Sequence, residues 1–399
     1  MLEWEETTLG SHLSRVRRRT ALVEGRHYPA VSVTRSGGGL GPKEPFVGGE
    51  TSYAALFEVK ENDVVVRTIT AYESPVAVAR AEHDGAFVSQ VFLTYEVSSR
   101  LDPEFLMALF RTPGFWAEMQ GRAVGSVVRR KTISDAAFRQ IPLRLPPLAY
   151  QRRVARLMKS ATEASNAARA SVARQAEALT ATRDALFGRL WESGDLVPLG
   201  EVLREVKRPV RVEEAQSFNQ IGVRSHGRGV FLKEPVTSAD LGAKKVYWVE
   251  PGDLTINIVF AWEGAVAVIP TEAVGHCASH RFPTYRGVDD GPIEYFKHLL
   301  LSRRGLELLQ LASPGGAGRN RTLNRKQLMA APVPFPTISE RVDVANAVTS
   351  MEAVVSTSAG SLASLDRLVE HLGQLVVHGS IEIPESYDAL LDDAMGVSA

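Results

Sequence analysis

The sequence predicts a mixed α/β protein built as a pseudo-twofold tandem repeat, with two globular modules separated by two long antiparallel helices. Three observations lead there. The chain matches itself at an offset of 190 residues. Each copy has β-rich runs followed by helical spacing, and each copy ends in a long stretch nearly free of proline and glycine that carries heptads.

The self-match runs without a gap along nearly the whole chain. Leu9-Gly10 meets Leu199-Gly200, and Lys43-Glu44-Pro45 meets Lys233-Glu234-Pro235. Asp63 meets Asp253, Glu73 and Val76 to Val78 meet Glu263 and Val266 to Val268, and Phe92, Thr94 and Tyr95 meet Phe282, Thr284 and Tyr285. About thirty identities fall in this register, against roughly a dozen from composition, so the unit is one module rather than a short solenoid repeat. The boundaries read from it are 1–147 for the first module, 148–194 for the first long helix, 195–336 for the second module, 337–379 for the second long helix, and 380–399 for an acidic tail expected to be flexible.

Within a module, Val64 to Ile69 and Ala86 to Val97 are β-rich runs. Pro103 to Met119 has Phe105, Leu106, Leu109, Phe110 and Trp116 near one helical face, and Ile293 to Leu311 repeats it. Gly37 to Pro45 and Pro314 to Gly318 read as loops. After Pro147 no proline or glycine occurs until Gly188, and after Pro336 none until Gly360, so both stretches read as long helices. A capping box, Thr337 to Glu340, opens the second.

Heptads run in the same register in both. One seam is Met158, Ser165, Val172, Leu179 and Leu186, with Val154 leading its companion. The second helix carries Val348, Val355, Leu362, Val369 and Val376, with Val344, Leu365 and Leu372 in its companion. Two matched seams on one chain predict that the helices pair with each other.

The formal net charge is zero, but the charges are not evenly mixed. Basic stretches lie at 11–43, 122–156 and 303–326, while the tail from Ser380 has no base. Arginine outnumbers lysine, 36 to 10, and suits bidentate contact with phosphate and guanine. No run of eighteen apolar residues occurs and the N-terminus has no apolar core of a secretory signal, so a soluble, cytoplasmic protein is expected. The single cysteine, Cys277, excludes an internal disulfide and a multi-cysteine zinc site.

A globular module, the segment Ile141-Pro142-Leu143-Arg144-Leu145-Pro146-Pro147, then Gln151 and Val154-Ala155 opening a long helix, all repeated, resembles the specificity subunit of type I restriction–modification systems. Leu101 to Leu106, Gly125 and Thr132 to Phe138 resemble the end of a target recognition domain of that family. The likeness covers about residues 1 to 380. The family commonly opens each helix with a Glu-Gln pair; here Tyr150-Gln151 keeps the Gln and Glu340-Arg341 keeps the Glu.

The resemblance implies a non-catalytic subunit that reads a bipartite, asymmetric site in double-stranded DNA with two recognition domains. It implies assembly with two methyltransferase subunits and with restriction/translocase subunits, which would hold S-adenosylmethionine, ATP and magnesium. The candidate DNA-binding residues are Arg35, Lys43, Arg129, Arg130 and Lys131 in the first copy. In the second they are Arg224, His226, Arg228, Lys233, Arg319 and Arg321. The glycines among them would let backbone approach DNA.

Other chemistry is thin. His276, Cys277, His280 and His298 sketch a metal site with no counterpart in the first copy, so none is assigned. No nucleophile elbow, P-loop, H-E-x-x-H or acidic-Pro-Pro-aromatic methyltransferase motif occurs, and no catalytic residue is assigned. The alternative is a protein-binding scaffold with two modules on a coiled-coil spacer; a hydrolase with an unmarked site is weaker.

Overall fold

The computed structural model describes residues 3–127, 130–211, 217–241, 245–315, 321–388 and 390. The chain divides into two units, Met1–Arg169 with Ser361–Ala399, and Ala170–Gly360. The two long helices, Leu148–Ser193 and Ile338–Val377, are therefore shared, each giving one half to either unit.

In the first unit a four-stranded antiparallel sheet sits at the centre. Its order is Leu13–Val16, Phe92–Val97, Val64–Arg67, Val76–Val78. Val64 and Val66 face one core and Val65 faces another, as strand alternation requires. The larger core lies under the helices Pro103–Phe110 and Pro113–Arg122 and takes in Val154, Val376 and Val377 from the long helices. The smaller lies against a five-stranded sheet that contains His27–Val33 and Leu40–Val47.

The second unit repeats this at an offset of 190. Leu203–Val206, Thr284–Gly287, Leu254–Ile256 and Val266–Val268 form a four-stranded sheet in the same order. Its counterpart of the five-stranded sheet is broken, among the described residues, into strand pairs such as Ile221–Val223 with Val230–Leu232. One ion pair to a buried aspartate recurs in both copies. Arg18 donates to Asp63 at 2.5 and 3.2 Å, and Arg208 to Asp253 at 2.7 and 3.2 Å.

Four expectations are corrected. Gly37 to Pro45 is not all loop, because Leu40–Val47 is a strand at the edge of its sheet, where Pro42 and Pro45 leave no ladder bond unmade. Ala86 to Val97 is two strands, Phe87–Val88 and Phe92–Val97. Pro103 to Met119 is two helices rather than one. Pro113 forces Thr112 into extended backbone, and the Thr112 hydroxyl caps the second helix through Phe115 N. Ser302 does the same between Ile293–Leu301 and Arg303–Leu311.

The fourth concerns the tail, which was expected to be flexible from residue 380. Residues up to 388 are instead fastened to the first unit. Arg153, 4% exposed, donates to both carboxylate oxygens of Asp388 at 2.8 Å and to the Ile383 carbonyl at 3.1 Å. A buried guanidinium needs such a partner, so the acidic segment is held in place. The rest of the tail, except Leu390, lies outside the described residues.

Candidate nucleic-acid interface

Each unit places three chain segments side by side. In the first unit these are the turn 34–39 between two strands, the short 3-10 helix Ala71–Glu73, and the described stretches 124–127 and 130–132. Backbone hydrogen bonds join them. Ser36 N donates to Glu73 O at 2.8 Å and Ala71 N to Lys131 O at 2.9 Å, and Thr132 exchanges bonds with Val124 at 2.8 and 2.9 Å.

The turn has a fixed shape. Thr34 N donates to Gly39 O at 3.0 Å, and Ser36, Gly37 and Gly39 have positive φ. Gly37 packs on the end of the helix Pro103–Phe110 so closely that a Cβ there would lie 2.5 Å from the Phe110 carbonyl oxygen. The close approach that requires a glycine here is to the protein's own helix. Arg111 Nε reaches the Gly37 carbonyl at 3.2 Å and pins the turn from below.

The second unit repeats three of the first unit's bonds at the 190 offset. Arg224 N donates to Gly229 O at 3.0 Å, His226 N to Glu263 O at 2.8 Å, and Leu323 N to Ile258 O at 2.8 Å, the last matching Ile133 N to Thr68 O at 3.0 Å in the first unit. His226, Gly227 and Gly229 have positive φ, matching Ser36, Gly37 and Gly39.

Of the candidate residues, Arg35, Arg130 and Lys131 fall on these joined segments in the first unit, and Arg224, His226, Arg228 and Arg321 in the second. Arg35, Arg130, Arg224, His226 and Arg228 are exposed; Lys131 and Arg321 are half-buried. Lys43 and Lys233 are exposed but lie four residues beyond the turn, where they cover the rings of Phe46 and Phe282 at 5.0 and 5.4 Å. Arg129 and Arg319 lie outside the described residues.

Sequence reasoning missed the aromatic side of the site. Arg321 stands over the Trp262 ring at 5.1 Å, and Tyr72 holds the matching place in the first unit, its hydroxyl donating to Glu73 at 3.0 Å. Arg67 is bound to the other oxygen of Glu73 at 3.1 Å. Exposed apolar side chains sit among the cations, Ile69, Val124 and Val127 in one unit and Phe260 in the other. The match of Tyr72 with Trp262 at the repeat offset was the available signal. Cations interleaved with exposed apolar groups suit phosphate contact beside base edges. No group of three or more His, Cys, Asp or Glu among the described residues could hold a metal. Cys277 is buried in a small apolar cluster.

The helix residues expected to pair are placed as follows. Val154 and Val348 are buried. Met158 and Leu372 pack against the first unit's core and Val344 against the second's. Val172, Leu179, Leu186, Val355, Leu362, Leu365 and Val369 are half-buried. Within the first unit the halves run antiparallel: Tyr150 reaches Val376, a Cβ on Gly373 would touch Met158 at 3.0 Å, and Ser165 and Arg169 both bind Asp366. In the second unit's part of the first long helix, Phe187 is fully buried, one position from the expected Leu186, with its ring tilted against Tyr295 at 5.3 Å.

No family model matches the chain, and no curated protein does. Solved structures do. One is a chain from work on complex assembly and conformational transition of the type I R-M system, 19% identical, covering 96% of this chain and 100% of its own, with a TM-score of 0.61. Another is the type I restriction–modification S subunit from M. genitalium, 13% identical, covering 94% and 96%, with a TM-score of 0.56. Over nearly its whole length, this chain has the fold of type I restriction–modification specificity subunits.

Proposed function

We propose that this chain is the DNA sequence-specificity subunit of a type I restriction–modification system. The observation that carries the reading is the recurrence, in each of two units of this fold, of one basic loop cluster joined by equivalent hydrogen bonds. Each cluster reads one half of a bipartite site, and differing side chains make the site asymmetric. Basic side chains supply phosphate contacts, which set affinity; groups facing base edges set the sequence. The long helices set the number of unread bases between the halves.

In this reading the chain is non-catalytic. Two methyltransferase subunits dock on it, with restriction/translocase subunits where the system cleaves. S-adenosylmethionine, ATP and magnesium belong to those partners.

Base-resolution methylation of the source genome, with the gene intact and deleted, tests the proposal. Loss of one split, asymmetric motif on deletion is the expected result. An unchanged methylome, together with equal affinity of the purified chain for all duplexes, would point to the scaffold alternative.

A further inference from the structure

The turn 34–39 and its counterpart 224–229 share a backbone and differ in side chains. The bonds Thr34 N to Gly39 O and Arg224 N to Gly229 O are both 3.0 Å, and those of Ser36 and His226 to Glu73 O and Glu263 O are both 2.8 Å. The left-handed residues also correspond, with φ of 54° at Ser36 and 60° at His226. Yet four of the six positions carry different residues, and the cations sit at different places along the turn. A constant frame with variable donors is what a reader of two different half-sites requires.

The side chains divide by whether they are engaged. Arg224 is held by the Val230 carbonyl at 3.2 Å and lies over Phe231, and Arg321 lies over Trp262. Arg35 and His226 are exposed and their side chains make no hydrogen bond or ion pair among the described residues, and Arg228 engages only its Nε, on Ser225 O at 3.2 Å. An exposed non-glycine residue in left-handed backbone, as at His226, marks a position whose surroundings over-determine it.

We infer that these two turns are the base-reading elements, with Arg35 in the first unit and His226 and Arg228 in the second as specificity-determining side chains. The inference rests on the DNA-reading function proposed above. Arginine at such a position has the donor fork for guanine in the major groove.

The shared frame makes the turns exchangeable, under one constraint. A Cβ on Gly38 would lie 2.6 Å from Thr34 Oγ1, so Gly38→Arg is admissible only with Thr34→Arg, the pairing the second turn already has. The test places Thr34→Arg, Arg35→Ser, Ser36→His and Gly38→Arg together in the chromosomal gene and maps methylation in the source cells. One half of the split motif should change and the other stay. In parallel, Arg35→Ala removes an exposed, unengaged side chain and leaves folding intact. It should relax the first half-site at one position, raising methylation of sites with another base there by about tenfold or more. A motif unmoved by Arg35→Ala overturns the inference and leaves the specificity role standing, even if the exchanged turn abolishes methylation. A wild-type genome with no split motif dependent on this gene overturns both.

Discussion

Gln151 and Arg341 stand at equivalent positions of the repeat and fasten the start of each long helix to the same junction by different chemistry. Gln151, fully buried, accepts from Asp102 N at 2.8 Å and donates to Arg100 O at 3.0 Å and Pro146 O at 2.8 Å. Arg341, 1% exposed, donates to both oxygens of Asp289 and lies over Phe335 at 4.0 Å. Residues 289–291 lie 190 beyond 99–101, so the anchored segment is the same one. The partner groups changed along with the helix residue.

Gln151→Leu leaves Asp102 N and two carbonyls without partners and is expected to cost about 1–3 kcal/mol. Arg341→Met leaves the Asp289 carboxylate without its buried cation. The guanidinium holds the Asp289 carboxyl below its ordinary range, so this variant should also lose the stability that Asp289 contributes above the carboxylate range. Chemical denaturation of each variant checks both, and a midpoint equal to wild type would show that the anchor is dispensable.

The loop-cluster cations should act through phosphates. Arg130→Ala with Lys131→Ala is expected to weaken DNA binding for all sequences and to lower the slope of log K against log salt by about one per lost contact. Titrations at several salt concentrations measure this. An unchanged slope would place both side chains away from the backbone of the duplex.

Replacing residues 1–147 with another recognition domain should alter one half of the methylated motif only. The first unit's core and loop cluster are built largely within that span. A change in both halves, read from the methylome, would show that the copies do not read independently.

His298 gives a pH signature. It is fully buried, with Nε2 2.9 Å from Thr349 Oγ1, and its pKa is pushed down to about 3, by burial first and then by Lys297 and Arg183. Glu352 lies 3.5 Å from Nδ1 and favours the proton, but that carboxylate is committed to Lys297 at 2.6 Å. The unfolded chain takes up a proton near pH 6.5 while the folded chain does not. Stability from this group is therefore whole above pH 6.5 and is lost as pH falls towards about 3, on the order of 1 kcal/mol per pH unit. Melting temperatures from pH 7.5 to 5 should fall more steeply for wild type than for His298→Gln; parallel curves would contradict this.

The long helices are tested by Leu179→Pro and Leu365→Pro, each expected to cost about 3 kcal/mol of helix and to abolish the split methylation mark. A normal mark in both variants would remove the helices from the mechanism.

Much of this was legible in the residues alone. The offset of 190, the β-runs and the heptads follow from local periodicity, which a single chain records. Gln151 and Arg341 could be aligned from sequence, but not their common task, because each partner lies some fifty residues upstream. The basic clusters could be counted, but not sorted. Whether an arginine is engaged, as Arg224 is with Phe231, or unengaged, as Arg35 is, depends on neighbours that only folding brings near.

By itself the sequence determined the duplication, the two long helices and the basic character of matched segments, since composition and spacing are properties of the chain. Tertiary structure alone decided that three separated segments meet in one cluster, that Gly37 is a glycine because Phe110 lies behind it, and that an acidic tail is held by a buried Arg153. Those are contacts between residues distant along the chain, and their energies arise only when burial removes water from both partners.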